Sequence, residues 1–236
     1  PDYAAGEIVV GPVGWQSYAT VEADPKLFRK VDPALGPIAT ALHVLGMTGR
    51  TAFFGLLKVG EPKPGETVVV AAASGAVGSV VGQIAKIKGC RIVGIAGGKK
   101  KCDYVLNELG FDAVIDRKGG NMAPELKAAC PDGIDVYFEN VGGEVLHAVV
   151  PLLNEGARVP VCGYVSQYNK ENPSEAESPF DVLGKMPNPP LHRFFLVREW
   201  IEEWSAASTE MSEWVKNGTL KYRESVVEGI NNAPQT

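Results

Sequence analysis

Thr67-Val-Val-Val-Ala-Ala-Ala-Ser-Gly-Ala-Val-Gly-Ser-Val-Val-Gly82 is an apolar run that halts at a turn of small residues and resumes with helical spacing. Val68, Val69 and Val70, with the alanines after them, form the continuous β-branched and small apolar run of a parallel strand buried on both faces. Beyond the turn, Val77, Val80, Val81, Ile84 and Ile87 recur at helical spacing, so one apolar stripe can pack back onto the sheet. Between strand and helix stands Ala73-x-Gly75-x-x-Gly78, a glycine-rich dinucleotide turn with Ala73 in place of the first glycine. Gly75 lets the backbone approach a pyrophosphate, and the unpaired N–H groups and positive dipole end of the helix attract its charge. Gly78 and Gly82 carry no side chain to hold helix and sheet apart. A packing turn uses the same glycines, and the strand before and helix after are what favour the dinucleotide reading.

Outward from this stretch the alternation is regular. The patterns predict strands at 68–73, 91–95, 113–116, 134–138 and 157–162, with helices at 76–88, 99–109, 122–129 and 143–153. Such alternation means βαβ units and an α/β, doubly wound parallel sheet. Leu42 to Leu57 reads as a helix despite Gly46 and Gly49. Arg193 to Val197 reads as a further strand, followed by a helix through about Val215. Ahead of residue 43, short strands punctuated by Gly and Pro suggest the tail of a β domain. Residues 163–190 form a polar, proline-rich irregular segment of the kind that covers a ligand or an interface. The expected division is 1–42 as the remnant of a β domain and its connection, 43–224 as the dinucleotide-binding domain, and 225–236 as the start of a return toward the β domain.

In 236 residues, 45% hydrophobic content is ample for a core, and a net charge of −5 argues against a nucleic-acid footprint. No run of basic residues suggests an anionic membrane, and no apolar run reaches about 18 residues, so small molecules are the expected partners. Cys90, Cys102, Cys130 and Cys162 lack C-x-x-C spacing and fit reduced thiols in a cytosolic protein, so a cytoplasmic location is expected. His43, His147 and His192 are isolated from other ligand types, and no metal site is expected.

The strand at 91–95 runs into Ala96-Gly-Gly-Lys-Lys-Lys-Cys-Asp103. A carboxylate at this place would accept the adenosine ribose hydroxyls, whereas a 2′-phosphate needs cations, so glycines with three lysines favour NADPH over NADH. A solvated lysine run is the plain alternative. Asn140, at the carboxyl edge of the strand at 134–138, suits either a ribose or amide hydrogen bond or a turn cap. Val159-Pro-Val-Cys-Gly-Tyr-Val-Ser-Gln-Tyr-Asn169 ends the next strand similarly, and Tyr168 there offers a phenolic donor, although spacing alone favours packing over catalysis.

Gly46-Met-Thr-Gly-Arg-Thr-Ala-Phe-Phe-Gly55, Ala73 to Lys86, Phe138-Glu-Asn-Val-Gly-Gly143 and Cys162-Gly-Tyr-Val-Ser-Gln-Tyr-Asn169 together resemble the zinc-independent medium-chain dehydrogenase/reductases. Within that family the similarity is to the prostaglandin reductase, alkenal/one oxidoreductase and curcumin reductase-like proteins. The resemblance implies a Rossmann domain with the remnant of an N-terminal GroES-like catalytic domain. It also implies NADPH-dependent reduction of a carbon–carbon double bond conjugated to a ketone or aldehyde carbonyl. By resemblance Gly75, Ala76, Val77 and Gly78 line the pyrophosphate, and Lys101 meets the 2′-phosphate. Asn140 and the run Cys162, Gly163, Tyr164, Val165, Ser166 and Tyr168 would follow the nicotinamide half, which Phe195, Leu196 and Val197 would also touch. Tyr168 is the candidate catalytic donor. Arg117 stands where relatives often carry a tyrosine, and a guanidinium there suits a bidentate phosphate contact. Pro179 to Pro190 departs from the prostaglandin reductases, so their substrate preference does not transfer. Members of the family are longer at both ends, which places much of the catalytic domain outside this chain, and homodimers are common among them.

Three other readings remain open at this point. A quinone reductase of the same superfamily is one. A zinc alcohol dehydrogenase would share the cofactor domain, but its ligand ahead of that domain falls near Met47, a poor zinc ligand. A protein that binds NADPH without turnover would keep the same glycine turn.

Overall fold

The computed structural model describes residues 3–172 and 175–235, the side chain of Gln235 excepted. A two-stranded antiparallel ladder comes first, β1 (Val9–Val10) against β2 (Arg29–Lys30). Then follow a 3₁₀ turn at Ile38–Leu42, α1 (Met47–Phe54), β3 (Thr67–Ala71), α2 (Gly78–Ile87), β4 (Arg91–Ala96), α3 (Lys99–Asp103) and β5 (Ala113–Asp116). The chain continues through α4 (Met122–Ala129), β6 (Ile134–Phe138), α5 (Gly143–Val149), β7 (Leu153–Val161), α6 (Pro179–Gly184), β8 (Leu191–Phe194) and α7 (Trp204–Lys216).

The six strands β3 to β8 form one parallel sheet in the order β5-β4-β3-β6-β7-β8. Counted from β3, this is the order 3-2-1-4-5-6 of a doubly wound dinucleotide-binding sheet. The direction of winding reverses between β3 and β6, and the crevice outside their carboxyl ends is where such sheets take ligands. All five residues of β3 are buried. Val68 and Val70 pack with α1, α2 and α7 on one face, while Val69 and Ala71 pack with α4, α5 and α6 on the other. A strand sealed on both sides must be apolar throughout, which is why its sequence does not alternate.

The elements at 113–116, 122–129 and 134–138 have their expected bounds. The helix expected over 143–153 stops at Val149 and β7 already begins at Leu153 rather than 157, the helix expected over 99–109 becomes π-helical at 104–108, and three further regions differ. The helix expected over 42–57 begins only at Met47 and passes into π-helical turns at 55–60. Its start is delayed because the chain first folds on itself. A Cβ on Gly46 would strike the Ala41 carbonyl, so Gly46 belongs to a tight turn ahead of the helix, while Gly49, inside α1, lets the first helical turn lie against the Val44 carbonyl. The last strand lies at 191–194 rather than 193–197, because Val197–Glu203 is already 3₁₀ helix, with non-helical backbone at Trp200 ahead of α7. Within the segment expected to be irregular, α6 forms on a local signal. Ser178 accepts the Phe180 N–H at 3.3 Å as N-cap and Pro179 occupies the first turn.

Gly82 faces the ring of Phe111, which is buried just ahead of β5, and a Cβ at Gly82 would collide with that ring. Alanine is favoured over glycine in a helix interior by about 1 kcal/mol. Even so, Gly82→Ala is expected to destabilise the fold by about 1 to 3 kcal/mol through overpacking. Thermal unfolding should show a Tm lower by roughly 3 to 10 °C. An unchanged Tm would mean that Phe111 has another well-packed rotamer.

Candidate functional site

β3 ends one step before the glycine turn because Ala72 adopts a left-handed conformation, with φ of 52°. This costs an L-residue roughly 1–2 kcal/mol and turns the chain out of the sheet. The turn closes by Gly75 N–H donating to Ala72 O at 2.8 Å, and Ala73 N–H holds it to the Ile95 carbonyl of β4 at 3.0 Å. A Cβ on Gly78 would collide with the Ala72 carbonyl, so α2 starts in direct contact with the turn. The N–H groups of Ala76, Val77 and Gly78 find no acceptor among the described residues. Three free donors at the positive end of a ten-residue helix are what an anionic pyrophosphate requires.

A cleft of 410 Å³ opens beside this turn. Ser74, Gly75, Ala76, Ser79 and Val80 form one wall, Lys100, Lys101 and Tyr104 of the helix after β4 another, and His43, Val44, Tyr222, Arg223 and Ser225 the remainder. No carboxylate among the described residues lines it. Lys99 is held by Asp103 at 2.8 Å, while Lys100 and Lys101 have no acidic partner among the described residues. Arg223 lies over the Tyr104 ring, its guanidinium carbon 5.2 Å from the centroid. It was not foreseen from the sequence, since nothing local distinguishes a lone arginine after the last long helix. Hydrogen bonds bring it here: buried Gln83 of α2 donates to Lys221 O at 2.9 Å and accepts Lys221 N–H at 2.8 Å, and His43 Nε2 meets Glu224 Oε1 at 2.6 Å. Arg223 is thereby pinned on both sides.

Arg117 is placed elsewhere. Its exposed guanidinium crosses the tip of β4, so that a Cβ on Gly97 would stand 3.1 Å from its Nε. It flanks the strand end but is not part of the cleft wall. Asp116 turns its carboxylate inward to the backbone, accepting Gly98 N–H at 2.7 Å and Lys118 N–H at 2.9 Å. Those two bonds hold its pKa below the ordinary range.

The reversal point of the sheet gathers the other candidates. Asn140 donates from Nδ2 to the Ala71 carbonyl at 2.9 Å, joining the exit of β6 to the last residue of β3. The loop after β7 lies on the turn after β6. Cys162 N–H donates to Glu139 O at 2.9 Å, Val165 N–H to Asn140 O at 3.1 Å, and Ser166 donates to Val141 O through N–H at 3.0 Å and Oγ at 2.6 Å. Glu139, passed over in the sequence, organises that turn. It is fully buried, and its Oε1 accepts Val141 N–H at 2.6 Å and Gly142 N–H at 2.9 Å. Burial raises its pKa and these N–H groups oppose the rise. Glycine at 142 is needed both for φ of 73° and because a Cβ would stand 2.9 Å from that of Tyr164.

Burial, and then the Glu139 charge, push the Cys162 thiol up to about 11, so it stays protonated near neutrality. Gly163 lets the Tyr168 phenol come over the backbone, where its oxygen accepts the Tyr164 N–H at 3.1 Å. Tyr168 is 60% exposed, its ring edge-on to Tyr164. Of the β8 exit, Phe195 is only 4% exposed and its ring is packed on Gly55, Phe138 and Trp200, so its side chain belongs to the core. Leu196 is exposed and Val197 half-buried, leaving their side chains and the backbone as the surface offered to a ligand.

Among the described residues no three His, Cys, Asp or Glu side chains converge as metal ligands. His147 meets Glu177 and His192 the Pro190 carbonyl. No described helix is long and apolar enough to cross a membrane.

The model of the family described as zinc-binding dehydrogenase matches residues 76–212, which run from the glycine turn into α7. The chain belongs to that family. Over 241 residues it is 46% identical to the NADPH-dependent curcumin reductase of Escherichia coli, covering all of this chain and 69% of the relative. Prostaglandin reductase 1 of Oryctolagus cuniculus is 42% identical over 238 residues, 99% of this chain and 67% of the relative. The crystal structure of CurA from Vibrio vulnificus in complex with NADPH superimposes with a TM-score of 0.89 at 42% identity, covering 99% of this chain and 70% of that one. The chain is therefore an oxidoreductase-family member of the curcumin and prostaglandin reductase type, within the medium-chain dehydrogenase/reductases.

Proposed function

We propose that this chain carries the cofactor domain of an NADPH-dependent reductase that acts on the carbon–carbon double bond of α,β-unsaturated ketones and aldehydes. Residues 43–224 hold the cofactor and residues 1–42 belong with the catalytic domain. The observation that carries the reading is the cleft at the glycine turn, lined by Lys100, Lys101 and Arg223 with no carboxylate. A 2′-phosphate needs such a lining and NADH gains nothing from it. The donor set fits the dinucleotide elsewhere too: free N–H groups at Ala76 to Gly78 for the pyrophosphate, and the docked loops at 139–142 and 162–168 for the nicotinamide half. The names of the relatives support the substrate class.

NADPH, when bound, supplies the hydride that reaches the β-carbon of the enone. The carbonyl oxygen then gathers negative charge, and a donor aimed at that charge lowers the barrier. Tyr168 takes this role here. Its oxygen already accepts the Tyr164 N–H, which polarises the phenol and leaves its O–H to donate. Cys162, held as a thiol, adds no competing charge beside it.

The test is cofactor consumption by the full-length protein, followed by absorbance, with an enone, a saturated aldehyde and a quinone in parallel. Turnover of the enone with NADPH is expected, with the rate unchanged after treatment with a strong chelator. Turnover of the saturated aldehyde alone, lost on chelation and restored by zinc, would establish an alcohol dehydrogenase instead. Turnover of the quinone alone would establish a quinone reductase, and no turnover of any would leave a cofactor-binding protein.

A further inference from the structure

Behind the segment 40–50, which also borders the cofactor cleft, lies a second cavity of 470 Å³ between β2, the 3₁₀ turn at 38–42 and the start of α7. Its floor is the indole of Trp204, buried and anchored by Nε1–H donation to Val197 O at 3.0 Å. Two arginines from distant parts of the chain lie on this one ring. The guanidinium carbon of Arg29 is 4.7 Å from its centroid and that of Arg50 is 5.0 Å. Cation–π attraction of this kind holds a guanidinium in place while leaving N–H groups available to a carboxylate or phosphate.

Neither arginine pairs with a carboxylate among the described residues. Arg50 donates from Nε to Ser208 Oγ at 3.0 Å, but its Nη1 is buried and has no hydrogen-bond partner. A buried charged donor left unpaired is costly, and an anion in the cavity beside the guanidinium would offset part of its charge. Arg29 is pressed the same way, its pKa lowered by burial and then by the charge of Arg198. Lys26 adds another positive group to the cavity wall. The one carboxylate there, Asp32, is engaged with its own turn through Ala34 N–H at 2.9 Å.

We propose that this cavity binds a small molecule bearing two anionic groups, held by the guanidiniums of Arg29 and Arg50 beside Trp204. Their distances from the one centroid, 4.7 and 5.0 Å, place the two guanidinium carbons no more than 9.7 Å apart, a gap that a small molecule with an anionic group at each end can bridge. The site is separate from the cofactor cleft, and the proposal does not depend on which nucleotide that cleft takes.

The test is isothermal titration calorimetry of pyrophosphate, and separately of succinate, into the full chain and its variants. Binding of at least one probe is expected, weakened about tenfold or more by Arg29→Met and by Arg50→Met, each of which removes a charge-assisted contact. The Lys101→Ala variant, altered only at the cofactor cleft, should bind as the parent does. Which probe binds shows whether phosphate or carboxylate is recognised. No binding of either probe, loss of binding only in Lys101→Ala, or parental affinity in both arginine variants would overturn the proposal. Circular dichroism monitors folding, and if Arg50→Met does not fold, Arg29→Met decides alone.

Discussion

Replacing Lys101 by alanine and Arg223 by methionine together is expected to weaken NADPH binding by about 100-fold or more, with NADH affinity kept within a factor of about two. Each cation offers the 2′-phosphate a charge-assisted hydrogen bond worth about 1.5 to 3 kcal/mol, and about 1.4 kcal/mol is tenfold in affinity. The two line one cleft, Lys101 from the helix after β4 and Arg223 from the segment pinned by Gln83 and His43. Methionine at 223 keeps the aliphatic packing on Tyr104 while deleting the charge. The single variants should each lose about tenfold. Arg117→Ala should lose less, because its guanidinium lies over Gly97 outside the cleft wall. Fluorescence titration with both cofactors measures this. A parallel fall for NADH and NADPH would assign these cations to the pyrophosphate, and no fall would remove them from the site.

Tyr168→Phe is expected to lower kcat by about ten- to a hundredfold with little change in NADPH affinity, as for removal of one donor to a developing oxyanion. The phenol is well placed to be lost without disturbing the fold. It is largely exposed, its single protein hydrogen bond is with the Tyr164 N–H, and the loop that carries it is docked through Cys162, Val165 and Ser166 instead. Steady-state kinetics on the full-length enzyme separates the roles. If kcat is unchanged while cofactor affinity falls, Tyr168 is a binding residue and the donor is water or another side chain.

The alternation of 2-residue and 3.6-residue periods in the sequence carries the whole doubly wound sheet, because that information is local. β3 must be apolar on both faces, α2 on one, and the small residues between them have to turn the chain sharply. The glycine turn, the lysines after β4 and the loop ends at 140 and 162–168 are legible for the same reason, since each sits where a strand stops. Helix starts are less legible, as at 42–47, because a glycine in a tight turn and a glycine in a helix look alike until the carbonyl it must clear is known.

Tertiary structure alone decided which distant residues share a surface. Arg223 joins the lysines because Gln83 exchanges two hydrogen bonds with Lys221 across 138 positions. Glu139 holds the turn after β6 because that strand ends against β7, where its buried carboxylate accepts the Val141 and Gly142 N–H groups. Phe195 goes to the core because Gly55, 140 residues earlier in the chain, leaves a place for its ring, and Arg29 and Arg50 share Trp204 because α7 packs against α1. None of these contacts has a local period to announce it. They follow from packing, in which each side chain takes whichever partner the closing of the fold brings within reach.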